Sequence, residues 1–101
     1  MIRIAICDDE KHMSDHIRAF VSDFFRKKNR EIQLRTFLNG EDLLNYNGQI
    51  DILFLDIQMK GMDGMETARK LRADKFRGFL IFITVLKEMV FQSFEVQAYD
   101  Y

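Results

Sequence analysis

Ile-Leu-Phe-Leu-Asp at residues 52–56 is the stretch that decides the fold of this chain, because a continuous apolar run there ends in a carboxylate. Such a run is typical of a central strand in a parallel sheet, which is buried on both faces. A carboxylate at the end of a buried strand costs free energy unless a nearby group pairs with it. Asp56 therefore indicates a functional site as well as a strand.

A second apolar run lies near the N-terminus and ends in the same way. Residues 2–7 read Ile-Arg-Ile-Ala-Ile-Cys, and Asp8, Asp9 and Glu10 follow directly. Open parallel α/β sheets bind ligands at the carboxyl ends of their strands, so the acids of both runs are expected at one edge. Carboxylates about 4 Å apart repel by about 4 kcal/mol at an effective dielectric near 20, so one takes up a proton or a cation neutralises them. Oxygen ligands of this kind suit Mg²⁺.

Helix capping is the alternative interpretation of Asp8 and Asp9, since aspartate is common between a strand and a helix. Capping explains Asp56 less well, because no helical pattern starts directly after it. Asp63 already offers a cap for the helix that is predicted to begin at Gly64. Capping alone does not account for all three acids.

Strand and helix patterns alternate along the chain, which predicts βαβ units around a parallel sheet. Strands are expected at about 3–7, 31–37, 51–56, 78–84 and from 98 onward, and helices at about 13–24, 41–46, 64–73 and 87–94. The first helix is predicted to bury an apolar stripe made of Met13, Ile17, Phe20, Val21 and Phe24. The third is predicted to turn Met65, Ala68 and Leu71 inward.

The composition is that of an ordinary soluble globular domain. The 101 residues carry a formal net charge of −1, which gives no overall field to attract nucleic acid or an anionic membrane. The cations at 26–30 suit the negative end of the first helix; a nucleic-acid patch is the alternative interpretation. A single cysteine, no signal-peptide pattern and no apolar run of about 20 residues predict a cytoplasmic domain without membrane contact.

Four motifs resemble, in order and spacing, the receiver domains of two-component response regulators, the CheY-like family. They are Ile-Cys-Asp-Asp-Glu at 6–10, Phe-Leu-Asp-Ile-Gln-Met at 54–59, Met-Asp-Gly at 62–64 and Phe-Ile-Thr at 82–84. Residues 94–101, Phe-Glu-Val-Gln-Ala-Tyr-Asp-Tyr, most resemble receivers that precede a LytTR-type DNA-binding domain. The resemblance covers the whole chain. It implies an α/β fold with a doubly wound parallel sheet in the flavodoxin-like order 2-1-3-4-5.

The resemblance also implies a Mg²⁺ site and a nucleophile. Asp56 would be the phosphoacceptor, and Asp9 and Asp56 would be direct metal ligands. The main-chain carbonyl of Gln58 would be a third ligand, and Asp8 would act through water.

Two further residues match the switch positions of the family. Thr84 would donate its hydroxyl to the phosphoryl oxygens, although alone it would be read as an ordinary β-branched strand residue. Tyr101 would be the switch aromatic that moves with Thr84.

The expected function is a phosphorylation switch and not a turnover enzyme, with only self-phosphorylation and autodephosphorylation. A sensor histidine kinase would supply the phosphoryl group, and a LytTR-type DNA-binding domain in the parent protein would be the output, with no nucleic-acid contact by this fragment. One alternative is a pseudo-receiver that acts as a phosphorylation-independent interaction module. Another is a haloacid-dehalogenase-type phosphatase, which would want an acid at position 58, where Gln58 stands.

The chain departs from the family at its end, because it stops at Tyr101, before the usual Lys-Pro whose lysine contacts the phosphoryl group. A receiver domain at 1–101 would thus be truncated, with an incomplete fifth strand and no fifth helix. The fourth strand would gain an open edge, which favours a homodimer.

Smaller departures affect the loops beside Asp56. Lys60 stands where the family usually has proline, so a less rigid loop is expected. Val85 replaces the usual Ala or Gly and would narrow access to Asp56. His12 and His16 have a helical spacing that can bind metal, but without a third ligand they are predicted to be exposed.

Overall fold

Strands and helices alternate along the chain as far as β4. The structure, a computed structural model, describes residues 1–83 in full and the backbone of Thr84 and of residues 95–99. The elements are β1 (Ile2–Cys7), α1 (Lys11–Lys27), β2 (Ile32–Phe37), α2 (Gly40–Leu44), β3 (Ile52–Asp56), α3 (Gly64–Ala73), β4 (Phe79–Thr84) and β5 (Glu95–Tyr99). None of the helices within these ranges is long and apolar enough to cross a membrane.

The strands form one sheet in the order β2-β1-β3-β4-β5. Strands β1 to β4 are mutually parallel, which confirms the predicted doubly wound arrangement. Asp56 at the end of β3 has Ile83 of β4 as its Cα partner, and Leu55 lies opposite Cys7 of β1. The carboxyl ends of β1, β3 and β4 therefore lie side by side at one edge.

The fifth strand differs from the prediction. It begins at Glu95 and not at Ala98, and it runs antiparallel to β4, with Glu95 opposite Thr84. A parallel return requires a crossover of about a dozen residues or more, and the connection 85–94 is shorter than this. Strand β5 pairs with the outer edge of β4, so this edge is not open as the sequence predicted. The homodimer stays a prediction, but an open β4 edge no longer supports it.

Other predictions fall where the structure gives no description. The helix expected at 87–94, Val85 and Tyr101 all lie outside the described residues. For Thr84 only the backbone is described.

Strands β1, β3 and β4 carry buried or partly buried side chains on both faces of the sheet, because successive side chains along a strand point to opposite faces. One face packs against α2 and α3; this cluster consists of Ala5, Cys7, Leu43, Leu53, Leu55, Met59, Ala68, Leu71, Leu80 and Phe82. The other packs against α1; this cluster consists of Ile4, Ile6, Met13, Ile17, Val21 and Ile83. Burial on both faces explains the continuous apolar runs of β1, β3 and β4.

Helix α1 buries a narrower stripe than predicted. Met13, Ile17 and Val21 are buried, but Phe20 and Phe24 are 62% and 47% exposed. The buried residues form one row at a spacing of four, and the two phenylalanines form the neighbouring row. Among the described elements, α1 packs mainly on β1 and β2, so only the first row meets the sheet.

Helix α3 shows the same kind of difference. Ala68 and Leu71 are buried as predicted, whereas Met65 is 40% exposed. Thr67 is fully buried instead and donates from Oγ1 to the carbonyl oxygen of Asp63 at 2.8 Å. A hydroxyl that is satisfied by its own helix can be buried at little cost.

Candidate functional site

Three carboxylates meet at the carboxyl edge of the sheet. Asp56 is the last residue of β3, and Asp8 and Asp9 follow β1, the strand beside it. One carboxylate oxygen of each lies within 4.8 Å of those of the other two. Asp8 and Asp56 are only 2% and 7% exposed, and Asp9 is half-buried. The predicted convergence of the acids at one edge is therefore observed.

Backbone N–H groups hold the two buried carboxylates. The N–H of Glu10 donates to Oδ1 of Asp8 at 2.9 Å, and that of Gln58 donates to Oδ1 of Asp56 at 3.2 Å. Neither Asp8 nor Asp9 caps α1, because the N-cap residue is Glu10 and its side chain makes no capping bond. The capping alternative from the sequence is therefore wrong for these acids.

The third carboxylate is held from across the site. The N–H of Lys60, in the loop after β3, donates to Oδ2 of Asp9 at 3.0 Å. The sequence predicted only a less rigid loop at Lys60 and missed this contact. No residue type marks it, since every residue except proline carries the donor.

Burial and mutual repulsion raise the pKa of two of these acids. Burial, followed by the charge of Asp8, raises the pKa of Asp56 to about 7. Burial is also the main cause that raises the pKa of Asp8 to about 6. Without a cation, this pair of carboxyl groups retains a proton near neutral pH, one of the two outcomes predicted from the sequence.

A cavity of about 1040 Å³ opens over the acids. Its polar lining includes Glu10, Asn39, Gln58 and Asp63 besides the three aspartates. Lys60 is the one cation among the described residues that line it. The side-chain atoms of this polar lining that could coordinate a metal ion are almost all oxygens. A set of oxygen ligands fits a hard divalent cation such as Mg²⁺.

Gly64 allows α3 to approach β3 closely. A Cβ atom at Gly64 would collide with the carbonyl oxygen of Asp56, so no larger residue fits without a shift of backbone. The N–H of Gly64 donates to the carbonyl oxygen of Ile57 at 2.9 Å, which closes the loop. Asp63 caps α3, as predicted, by accepting from the N–H of Glu66 at 2.9 Å. The Met-Asp-Gly motif thus fixes the path of the chain next to Asp56.

The switch residues predicted from the sequence are only partly described. Thr84 ends β4, directly after Ile83, so its backbone lies at the same edge as Asp56. Its side chain and the whole of Tyr101 lie outside the described residues. Their predicted roles remain predictions.

Histidine and cysteine side chains can also bind metal or act as nucleophiles. His12 and His16 are exposed on α1, as expected. Burial, with the charge of Asp8 next in size, raises the pKa of the Cys7 thiol to about 12. Cys7 is therefore protonated and buried, and it is not a nucleophile.

Comparison with known proteins supplies the family. Residues 4–101 match the family described as response regulator receiver domain. The transcriptional regulatory protein YpdB of Escherichia coli K12 is 35% identical over 68 residues, which cover 65% of this chain and 28% of that protein. The sensory transduction protein LytT of Bacillus subtilis is 28% identical over 103 residues, which cover 100% of this chain and 41% of that protein. The chain thus spans less than half the length of these relatives.

Solved structures agree with the sequence comparison. The response regulator protein TrrA of Thermotoga maritima, in complex with Mg²⁺–BeF, is 29% identical with a TM-score of 0.66, over 91% of this chain and 76% of that chain. TrrA in complex with the histidine kinase ThkA is 32% identical with a TM-score of 0.58, over 81% and 67%. With the family match extending over nearly its whole length, this chain belongs to the response regulator receiver domains of two-component systems.

Proposed function

We propose that this chain is a phosphoacceptor receiver domain in which Asp56 accepts a phosphoryl group from a sensor histidine kinase. The observation that carries the proposal is the meeting of Asp56 with Asp8 and Asp9 within 4.8 Å, on the wall of an open cavity. The complex of TrrA with the kinase ThkA supports the choice of donor. Receiver domains are regulatory and are not turnover enzymes.

Mg²⁺ is the proposed cofactor. Asp8, Asp9 and Asp56 would hold it, directly or through water, and the main-chain carbonyl of Gln58 would add a further oxygen on the pattern of the family. Bound there, the ion would offset the negative charge of the acids and of the incoming phosphoryl group. The oxygen donors of the cavity and the Mg²⁺–BeF complex of TrrA support this assignment.

Asp56 must be an anion in order to react. Its pKa of about 7 means that much of it is protonated near neutral pH until a cation offsets the neighbouring charge. One carboxylate oxygen then forms a bond to phosphorus while the P–N bond of the phosphohistidine breaks. The electron pair of that bond stays on the imidazole nitrogen. The N–H of Gln58 holds the carboxylate by Oδ1 and so fixes the position from which it attacks.

The proposed readout lies at the neighbouring strand. Thr84 would bind the phosphoryl oxygens, which its backbone position at the end of β4 supports. Tyr101 would be the switch aromatic, which the family pattern alone supports. The output would be a LytTR-type DNA-binding domain in the parent protein, in keeping with the likeness to LytT and to the transcriptional regulator YpdB.

Intact mass after incubation with Mg²⁺ and acetyl phosphate tests the proposal. We expect one added phosphoryl group in the wild type, and none in Asp56→Asn or without metal. Asp74→Asn, a change at an exposed acid that follows α3, is the control and should be labelled like the wild type. A label that persists in Asp56→Asn would refute Asp56 as the acceptor. Mg²⁺ binding without any label would favour a phosphorylation-independent interaction module.

A further inference from the structure

Lys60 contacts the candidate site through a main-chain hydrogen bond, whereas its side chain forms no hydrogen bond or ion pair there with the described residues. Its N–H donates to Oδ2 of Asp9 at 3.0 Å, and the two residues are 51 positions apart in the sequence. The bond joins the loop after β3 to the segment after β1. Within the described part of the chain, no other donor reaches the Asp9 carboxylate.

Asp9 needs such support more than its two neighbours do. Asp8 and Asp56 are buried, so the surrounding side chains restrict them, whereas Asp9 is only half-buried. Repulsion from the other two carboxylates favours rotation of Asp9 toward solvent when no cation is bound. A hydrogen bond to one of its oxygens opposes that rotation and leaves the other oxygen available to a ligand.

We propose that the main-chain N–H of Lys60 is a positioning group for the metal site, holding Asp9 beside Asp8 and Asp56 before the ion arrives. The inference rests on the proposed Mg²⁺ site. Groups that orient metal ligands typically contribute 10–100-fold to metal affinity. The Lys60 ammonium has no such role, because it is exposed and forms no ion pair with the described residues.

Two substitutions at one position separate the N–H from the side chain. Lys60→Pro and Lys60→Ala both remove the ammonium, but only proline also removes the donor. Mg²⁺ affinity is measured without a phosphodonor, by calorimetric titration of the purified chain. We expect Lys60→Ala to bind at least as tightly as the wild type, because a positive charge leaves the mouth of the cavity. Lys60→Pro should bind about 10-fold more weakly than Lys60→Ala. Equal affinities of the two variants would refute the inference.

A double-mutant cycle with Asp9→Ala shows whether the effect passes through Asp9. If it does, Lys60→Pro causes no further loss of affinity once Asp9 is gone. An undiminished loss in that background would mean that proline distorts the loop, and the inference would be wrong.

Amide hydrogen exchange gives a second measurement that needs no proline. Exchange of the Lys60 amide in the metal-free chain should become faster in Asp9→Ala, and an unchanged rate would contradict the hydrogen bond. If Lys60→Pro does not fold, this measurement still tests the hydrogen bond on which the inference depends. A wild type that binds no Mg²⁺ would refute the proposed site, and this inference with it, before any Lys60 variant is compared.

Discussion

At Asp56, burial and neighbouring charge oppose the ionised form that the proposed chemistry requires. The residue is 7% exposed. Burial has the largest effect on its pKa, and the charge of Asp8 has the next largest. Both effects raise its pKa to about 7. Without a cation, these carboxylates reduce the stability of the folded protein. The same repulsion favours the binding of a cation at this site.

Removing the charge of Asp56 should therefore stabilise the metal-free protein. In Asp56→Asn, we expect the free energy of unfolding at about pH 8 to rise by on the order of 1 kcal/mol after allowance for solvent screening. The asparagine oxygen can still accept from the N–H of Gln58, so little is lost. Urea unfolding in the presence of a chelator measures the change, with Asp74→Asn as the control. A less stable Asp56→Asn would show that repulsion is not the dominant effect at this position.

The sequence predicted the convergence of the acids but not how they are held. Asp8, Asp9 and Asp56 follow two apolar runs, and the carboxyl ends of parallel strands lie at one edge whatever the loops do. The bond from Lys60 to Asp9 depends on the path of the loop, and a main-chain donor leaves no mark in the sequence. Side-chain chemistry was therefore predictable here, and backbone chemistry was not.

At the scale of elements, the contact between α3 and β3 depends on one glycine. In Gly64→Ala, the new Cβ would meet the carbonyl oxygen of Asp56, and rigid backbone cannot move aside as a flexible side chain can. We expect a loss of about 1–3 kcal/mol of stability, as for other overpacking substitutions, together with weaker Mg²⁺ binding because Asp56 is displaced. Urea unfolding and Mg²⁺ titration measure the two effects.

Met65→Ala is the matched control for this substitution, because Met65 is the next residue of α3 and is 40% exposed. It should change both quantities little. A Gly64→Ala variant as stable as the wild type would show that α3 can shift away from β3 at little cost.

Helix α1 offers a second prediction, since its two apolar rows differ in burial. Ile17→Ala, in the buried row, should cost about 2–5 kcal/mol of stability. Phe20→Ala should cost less than about 1 kcal/mol, because Phe20 is 62% exposed. Urea unfolding of the two variants gives the comparison directly. A larger loss for Phe20→Ala would mean that another surface covers this row in solution.

Element types were predictable from the sequence, while orientation and direction were not. The spacing of apolar residues in α1 is satisfied equally by the row of Ile17 and the row of Phe20, and only packing on the sheet distinguishes them. The residues of β5 likewise indicate a strand but carry no sign of its direction. The short connection 85–94 accounts for the antiparallel pairing with β4.

Over the whole molecule, a net charge near zero conceals a separation of charge. Helix α1 begins just after the acids, and its last turn, with Arg26 and Lys27, lies about 20 Å further along the helix axis. Both of these cations pair with Asp23 there. They are too distant to neutralise Asp56 through solvent. Lys60, the one cation among the described residues that line the cavity, forms no ion pair with the acids. Protons and a cation from solution therefore compete to balance the remaining charge.

This competition predicts how pH and Mg²⁺ together control stability. The pKa of Asp56 is raised from 3.8 to about 7 on folding, so its protonated form stabilises the native state below pH 3.8, and that contribution is lost as pH rises through about 7. Asp8 acts in the same direction, with a pKa of about 6. Without metal, these two acids should make the free energy of unfolding fall between about pH 4 and about pH 7.

Mg²⁺ binds the deprotonated carboxylates, so its stabilising effect should grow over the same pH range, reaching about 2.7 kcal/mol at a concentration 100 times Kd. Urea unfolding at about pH 5 and about pH 8, with Mg²⁺ or with chelator, measures both effects. Asp56→Asn should flatten both dependences, because it removes the group with the largest shift. Equal stabilisation by Mg²⁺ at the two pH values would place the ion away from these carboxylates. Stabilisation by Mg²⁺ depends on pH only if the ion binds groups that lose protons in this range.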